Sequence, residues 1–440
     1  MNRAQIVYPF ASQETPIEIV KAEGSWLFTQ DGQRILDAGG GAIVCNIGHA
    51  RDEVLSAYVE AQREGYVLPP WRSPVRTELC ARLIRDWLPA DMTRMQFVCS
   101  GSEAIETAAK IALQFHAARG EKSRAQFIVR TPSYHGTTLA TAALSGHPAR
   151  KAGIEAALRE YPRVDAPYPL RAVPAGMASQ ALCDTYLDQL RACIDAIGAE
   201  HIAAFVAEPI VGSSGGMIVP PDGYWPGVRK ICDAHGILLI ADEVMTGFAR
   251  TGAKFALDHW QVRPDILVAG KGLAGGHAPI NGVFARSDIG ETIEAAGMAV
   301  MFHTYSALSG PCGAASKVLE ILVRESLARR SKALGAKLMQ ELRESLSDIP
   351  QVAEVRGKGL LIGIEIVRDR ETLERYDTSD AMSGRILTEA MRRDLFFYPG
   401  GTGEVRDILC LGPPLNTPAS ELDRIPEIMR DSILAATSSR

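Results

Sequence analysis

Ile237-Leu238-Leu239-Ile240-Ala241-Asp242-Glu243-Val244 is an apolar run that ends in two acids, and Pro264-Asp265-Ile266-Leu267-Val268-Ala269-Gly270-Lys271 is another that ends in a lysine. Both read as strands that are apolar on both faces. Working outward, further candidate strands fall at 126–130, 202–207 and 283–285. Helical periodicity separates them at 102–117, 184–197, 223–235 and 310–345. Doubly apolar strands alternating with helices predict an α/β fold, with a mostly parallel central sheet covered by helices on both faces. In such sheets ligands sit beyond the carboxyl ends of the strands. Asp242 and Lys271 both lie there.

The flanks read differently. Ile17, Ile19, Val20, Trp26, Phe28, Ile35 and Leu36 alternate about the turn Asp31-Gly32, which predicts a β-hairpin. Helical patterns follow at 51–64 and 76–88. Beyond residue 350 come a short strand at 352–355, Gly357-Lys358-Gly359, a strand at 360–367, a helix at 380–394, a strand at 408–411 and a last helix at 419–436. This predicts a smaller α+β domain. The expected division is an N-terminal segment, 1–60, that joins the small domain; a large α/β domain, 61–325; and the C-terminal small domain, 326–440.

The 440 residues suffice for two or three domains with a large core. A net charge of −5 gives no reason to expect nucleic acid or a membrane surface as partner. No apolar run is long enough to span a bilayer, and the N-terminus lacks a leader-like apolar stretch. The eight cysteines are scattered, without a C-x-x-C pair or metal-ligand spacing, so no metal is expected. A cytoplasmic protein with reduced thiols is the expectation.

A lysine at the end of a buried strand is costly unless its amine does chemistry. A carboxylate delivered to the same sheet edge suggests pyridoxal phosphate, an aldehyde cofactor whose ring nitrogen needs a negative partner. Two nucleotide readings fail beside it. Gly270-Lys271-Gly272 lacks the spacing and the Ser/Thr of a phosphate loop, so Asp242-Glu243 is not the magnesium strand of a nucleotide hydrolase. Gly39-Gly40-Gly41 and Gly357-Lys358-Gly359 lack the helix and acid of a dinucleotide fingerprint.

Three other motifs fall at the same edge. Ser100-Gly101-Ser102-Glu103 opens a helix, and reads both as a capping box and as a set of free N–H groups suited to phosphate. Tyr134-His135-Gly136-Thr137 offers a ring face to a planar cofactor, or a half-buried loop tyrosine. Glu208, in Ala207-Glu208-Pro209-Ile210, orients a polar ring substituent or makes a salt bridge.

In order and spacing these motifs, with Gly247-Phe248-Ala249-Arg250-Thr251-Gly252 and His303-Thr304-Tyr305, make the chain resemble the class III pyridoxal-phosphate-dependent aminotransferases. These are the ω-aminotransferases of fold type I, and the likeness spans roughly residues 20–430. The resemblance implies a role for each residue. Lys271 would bond the cofactor and shuttle a proton, and Asp242 would pair with the ring nitrogen. Tyr134 and Val244 would sandwich the ring. Gly101 and Ser102 would bind the phosphate, and His135 and Glu208 would position these groups. Thr304 would reach the neighbouring subunit's cofactor, which implies a homodimer, or a tetramer, with shared active sites.

Departures from the family pattern narrow the substrate. Members acting on ornithine, acetylornithine or 4-aminobutyrate carry Arg, Glu and Arg where this chain has Thr137, Ser213 and Cys410. The resemblance is therefore to the amine–pyruvate branch, which moves nitrogen from an amine or ω-amino compound to a keto acid by a ping-pong route. Arg406 is the candidate for the keto acid carboxylate, with a solvated loop arginine as the alternative, and Trp71 is a candidate pocket wall, core residue or dimer contact. A decarboxylase or aminomutase of the same fold, and a 2-oxoglutarate-dependent aminotransferase, are the other readings. A non-catalytic relative has no need of both Lys271 and Asp242.

Overall fold

The computed structural model describes residues 17–172 and 178–438, so the first sixteen residues of the expected N-terminal segment lie outside the described residues. In chain order the strands are β1 (Ile19–Glu23), β2 (Trp26–Thr29), β3 (Arg34–Asp37), β4 (Arg94–Val98) and β5 (Gln126–Thr131). There follow β6 (Arg163–Asp165), β7 (Ile202–Ala207), β8 (Leu238–Asp242), β9 (Ile266–Ala269) and β10 (Asn281–Ala285). The last five are β11 (Val352–Gly357), β12 (Ile362–Ile366), β13 (Leu395–Phe396), β14 (Tyr398–Thr402) and β15 (Val405–Leu411).

The central sheet has the order β4-β10-β9-β8-β7-β5-β6. The pairs from β6 through β9 are parallel, and β10 runs antiparallel to both of its neighbours. Every residue of β7, β8, β9 and β10 is buried, which is why their sequences show no polar alternation. The period of two survives as a division between faces. Val206, Ile240 and Val268 pack with Ala104, Ala108 and Phe115 of the helix Gly101–Ala118. Phe205, Leu239 and Ala241 pack on the other side with Leu187 and Leu190 of Ser179–Ile197 and Val228 of Tyr224–His235. β8 and β9 pair with Asp242 opposite Val268, so the chain leaves both strands at one edge.

Two smaller sheets complete the fold. β11-β12-β15-β14 is antiparallel throughout. β1, β2 and β3 form a meander rather than the single expected hairpin, and β13 adds to it in parallel, with Leu395 opposite Leu36. The N-terminal strands are thus completed by a piece of chain from far downstream.

The helix expected over 310–345 is two helices, Ser309–Arg324 and Leu327–Ser345, broken where Ser326 takes a left-handed φ of 53°. The first packs on Asp52–Gln62, and the second on β11 and on Ile425–Ser438, so one straight rod cannot serve both layers. The last expected helix is also split, into Ala419–Leu422 and Ile425–Ser438, with Pro426 opening the second as a residue that suits a first turn. Among the described residues no helix is long and apolar enough to cross a membrane.

Candidate active site

A cavity of about 360 Å³ opens at the edge where β8 and β9 end. Gly101, Ser102, Tyr134, His135, Glu208, Asp242, Val244 and Lys271 all line it. These residues come from five separate segments, and the sheet order brings them together.

Lys271 follows β9 with a φ of 39°, a region that non-glycine residues rarely adopt. Such backbone clusters at functional sites, where the surrounding structure must hold it. Gly270 shows how tightly it is held. A Cβ at that position would lie 1.6 Å from Asn281 Oδ1. Asn281 itself lines the cavity and donates from Nδ2 to the Cys99 carbonyl at 3.2 Å, tying β10 to the loop before Gly101.

Burial pulls the Lys271 amine down to about 8, the nearby Arg250 and Arg150 charges push the same way, and Asp242 and Glu208 oppose them. Its neutral form is therefore within reach near neutral pH. Asp242 is buried, with Oδ2 2.7 Å from His135 Nδ1, and Oδ1 accepting the Val244 N–H at 3.1 Å. His135 is fixed in turn by its own N–H, which donates to Ser145 Oγ at 2.8 Å. Glu208 accepts the Tyr134 N–H at 3.0 Å and the Gly212 N–H at 2.9 Å, and burial pushes its carboxyl up.

The helix Gly101–Ala118 begins with a full capping box: Ser100 Oγ accepts the Glu103 N–H, and Glu103 Oε2 accepts those of Ser100 and Cys99. The cap spends those donors and leaves the first turn facing the cavity. Ser102 Oγ accepts the Thr137 N–H at 3.0 Å. Gly136, at φ 140°, presses so close that a Cβ there would meet Ser102 Oγ at 2.4 Å.

The remaining candidates lie elsewhere. Thr304 is exposed and outside the cavity, its carbonyl accepting the Tyr66 hydroxyl at 2.9 Å. Trp71 is 66% exposed and lines a separate hollow with Pro69, Pro70 and Phe302. Arg406, expected on a loop, lies in β15; its guanidinium donates to the Tyr376 carbonyl from Nε at 3.1 Å and Nη2 at 2.7 Å, and it does not line the cavity. Two contributors were not foreseen. Asn281 left a trace, a polar residue opening an otherwise apolar strand. Arg150, stacked 4.9 Å over the Tyr134 ring, left none, because an exposed loop arginine looks like any other.

A family model described as aminotransferase class-III matches residues 7–433. The chain is 36% identical to the uncharacterized aminotransferase YodT of Bacillus subtilis, over 98% of this chain and 97% of that protein. It is 33% identical to the putrescine–pyruvate aminotransferase of Pseudomonas aeruginosa, over 94% and 89%.

The chain is a class III aminotransferase.

Its fold agrees with a solved amine transaminase from an uncultivated Pseudomonas species, described in its PLP-bound form, at a TM-score of 0.91, 34% identity and 98% coverage of both chains. This aminotransferase is a pyridoxal-phosphate enzyme, and its family favours amino transfer over the decarboxylase and aminomutase readings. The residues of the cavity fit that cofactor. A buried carboxylate, a helix N-terminus and an amine with no hydrogen bond among the described residues face one space. His135 Nε2 is buried there without a partner among the described residues. Such a set would supply a ring-nitrogen partner, a phosphate seat and a reactive lysine.

Proposed function

We propose that the enzyme takes nitrogen from a primary amine or ω-amino compound lacking an α-carboxylate, and delivers it to a keto acid, pyruvate, in two alternating half-reactions. The observation that carries this reading is Cys410. It is fully buried on β15, burial pushes its thiol up to about 12, and the Arg356 and Lys271 charges reach it. The Arg356 guanidinium is itself engaged by Glu354, Glu365 and the carbonyls of Gly215 and Gly216. A guanidinium at the Cys410 position would grip an α-carboxylate beside the lysine; here there is a neutral thiol. Ser213 offers only its backbone nearby, its carbonyl accepting the Gly401 N–H at 2.6 Å. Among the described residues no arginine lines the cavity. The Pseudomonas aeruginosa relative, named for putrescine and pyruvate, supports the same direction.

When bound, pyridoxal phosphate supplies an aldehyde that takes up the amino group and a ring that withdraws electrons. In our reading Lys271 would hold it covalently until the incoming amine displaces the lysine, whose freed neutral Nζ would then carry the proton to and from the substrate carbon. Asp242, oriented by His135 and the Val244 N–H, would pair with the ring nitrogen. Tyr134 and Val244 would flank the ring, and Glu208 fixes Tyr134 through its backbone. The first turn at Gly101 and Ser102 receives the phosphate. Thr304 and Trp71, outside this cavity, serve the site of a second copy in a homodimer.

The test is spectroscopic. Cofactor-loaded enzyme is offered butylamine, an ω-amino acid, alanine and glutamate in turn, and the visible band is followed. Bleaching by butylamine and alanine supports the reading; bleaching by glutamate with no response to butylamine rejects it.

A further inference from the structure

If no arginine lines the cavity, the keto acid carboxylate must be held by a cation at its mouth. Four arginines come into question, and three are already engaged. Arg250 is fully buried and donates to the carbonyls of Leu360, Pro413 and Cys45 at 3.2, 2.6 and 3.4 Å. Arg130 is buried on the Glu208 carbonyl, with its guanidinium 5.4 Å from the Trp225 ring. Arg406 is held by the Tyr376 carbonyl.

Arg150 is different. It is exposed, and among the described residues it has neither an acidic partner nor a side-chain hydrogen bond. Its guanidinium carbon lies 4.9 Å from the centroid of Tyr134, a residue that lines the cavity, and its charge acts on Lys271. Stacking on an aromatic ring orients a guanidinium while leaving its N–H edge open to a carboxylate.

The mount is firm. Arg150 ends the short helix Pro148–Arg150. The preceding His147 is buried, its Nδ1 2.8 Å from Thr402 Oγ1, and its ring packs edge-on against Tyr134. A Cβ at Gly403 would sit 3.5 Å from Pro148, so the β14–β15 turn rests on the segment that carries Arg150.

We propose that Arg150, and not Arg406, binds the carboxylate of the keto acid acceptor. The inference rests on the acceptor being a keto acid used with carboxylate-free donors. It makes Arg150 a specificity residue: acceptors bearing a carboxylate next to the carbonyl are favoured, while donors without one enter unaided.

The experiment compares wild type, Arg150→Gln, Arg150→Lys and Arg406→Gln in separate half-reactions. The acceptors are pyruvate and propanal, which differ in the carboxylate; the donor is butylamine. Propionate, which does not react, is titrated against the visible band to give a dissociation constant without turnover. Loss of a charge-assisted hydrogen bond predicts a KM for pyruvate and a Kd for propionate roughly ten- to hundredfold higher in Arg150→Gln. Propanal and butylamine are expected to change less than twofold, and Arg150→Lys to recover part of the loss. The proposal is overturned if pyruvate and propanal suffer equally, if neither changes, or if Arg406→Gln produces the effect and Arg150→Gln does not. Wild-type enzyme that ignores butylamine rejects the donor reading instead, whatever the variants do.

Discussion

The floor of the cavity and its mouth are built by opposite means. At the floor, Asp242, Lys271 and Asn281 are set by the ends of fully buried strands, and a one-carbon change at Gly270 has no room. Beside Tyr134, where the proposal puts the mouth, His147, Arg150 and Thr402 come from a short turn and an edge strand, and Arg150 is exposed. On the proposed reading, the floor determines whether chemistry occurs, and the mouth determines which molecule undergoes it. A constraint shared among many buried neighbours is costly to change; one set by a single stacked side chain is not.

The contrast can be broken first at Lys271. Lys271→Ala removes the amine that carries the proton, and transamination is expected to fall by about 10⁴-fold or more in a steady-state assay. Turnover within tenfold of wild type would falsify the floor's role. Asp242→Asn keeps the shape but loses the charge opposite the ring nitrogen. A drop in kcat of about 10²–10³-fold is expected, and an unchanged kcat would show that His135 and Val244 hold a carboxylate the reaction ignores.

The third test uses pH. The Lys271 amine titrates at about 8, lowered by burial, so its neutral fraction is nearly complete above that pH and falls tenfold for each unit below it. The rate at which cofactor-free protein takes up pyridoxal phosphate should rise about fiftyfold from pH 6 to 8, then about twofold more before levelling off. A flat profile, or a midpoint near 10, would mean that burial does not act on this amine as described.

Gly270→Ala tests how rigid the floor is. Asn281 must leave its bond to the Cys99 carbonyl, and overpacking of this kind costs about 1–3 kcal/mol. A fall of several degrees in Tm is expected by scanning calorimetry; no fall would show that the site yields. The smallest effect belongs to the mouth. Thr402→Val deletes the hydrogen bond to His147, worth about 1 kcal/mol, and should change the KM for pyruvate by only a few-fold with kcat intact. A collapse of kcat would erase the distinction between the two regions.

The same contrast explains what was legible in the sequence. Buried charges at strand ends are expensive, so Asp242, Lys271 and Glu208 stood out against their apolar strands, and the sheet that joins them followed. The mouth offered no such signal. Tyr398-Pro399-Gly400-Gly401-Thr402 looks like a loop, yet it forms β14 at the edge of its sheet, where the missing N–H of proline is tolerated. β4 was hidden for a related reason: its first three residues, Arg94, Met95 and Gln96, are half-buried and mixed in polarity. The break at Ser326 has neither glycine nor proline to announce it, because tertiary packing on two different layers imposes it. Arg406 and Arg150 are chemically alike in sequence; only the Tyr376 carbonyl and the Tyr134 ring tell them apart.

The parallel pairing of β3 with β13 has a consequence for the chain as it is made. Gln33 donates to Asp394 Oδ1 across 361 positions, and the hydroxyls of Ser25 and Thr417 meet across 392. At translation speeds of about 5–20 residues per second, the first strands wait roughly 20 to 70 s on the ribosome before their partner exists. Through that interval the N-terminal meander has an unpaired edge, and the nascent chain must be kept from finding another strand to fill it.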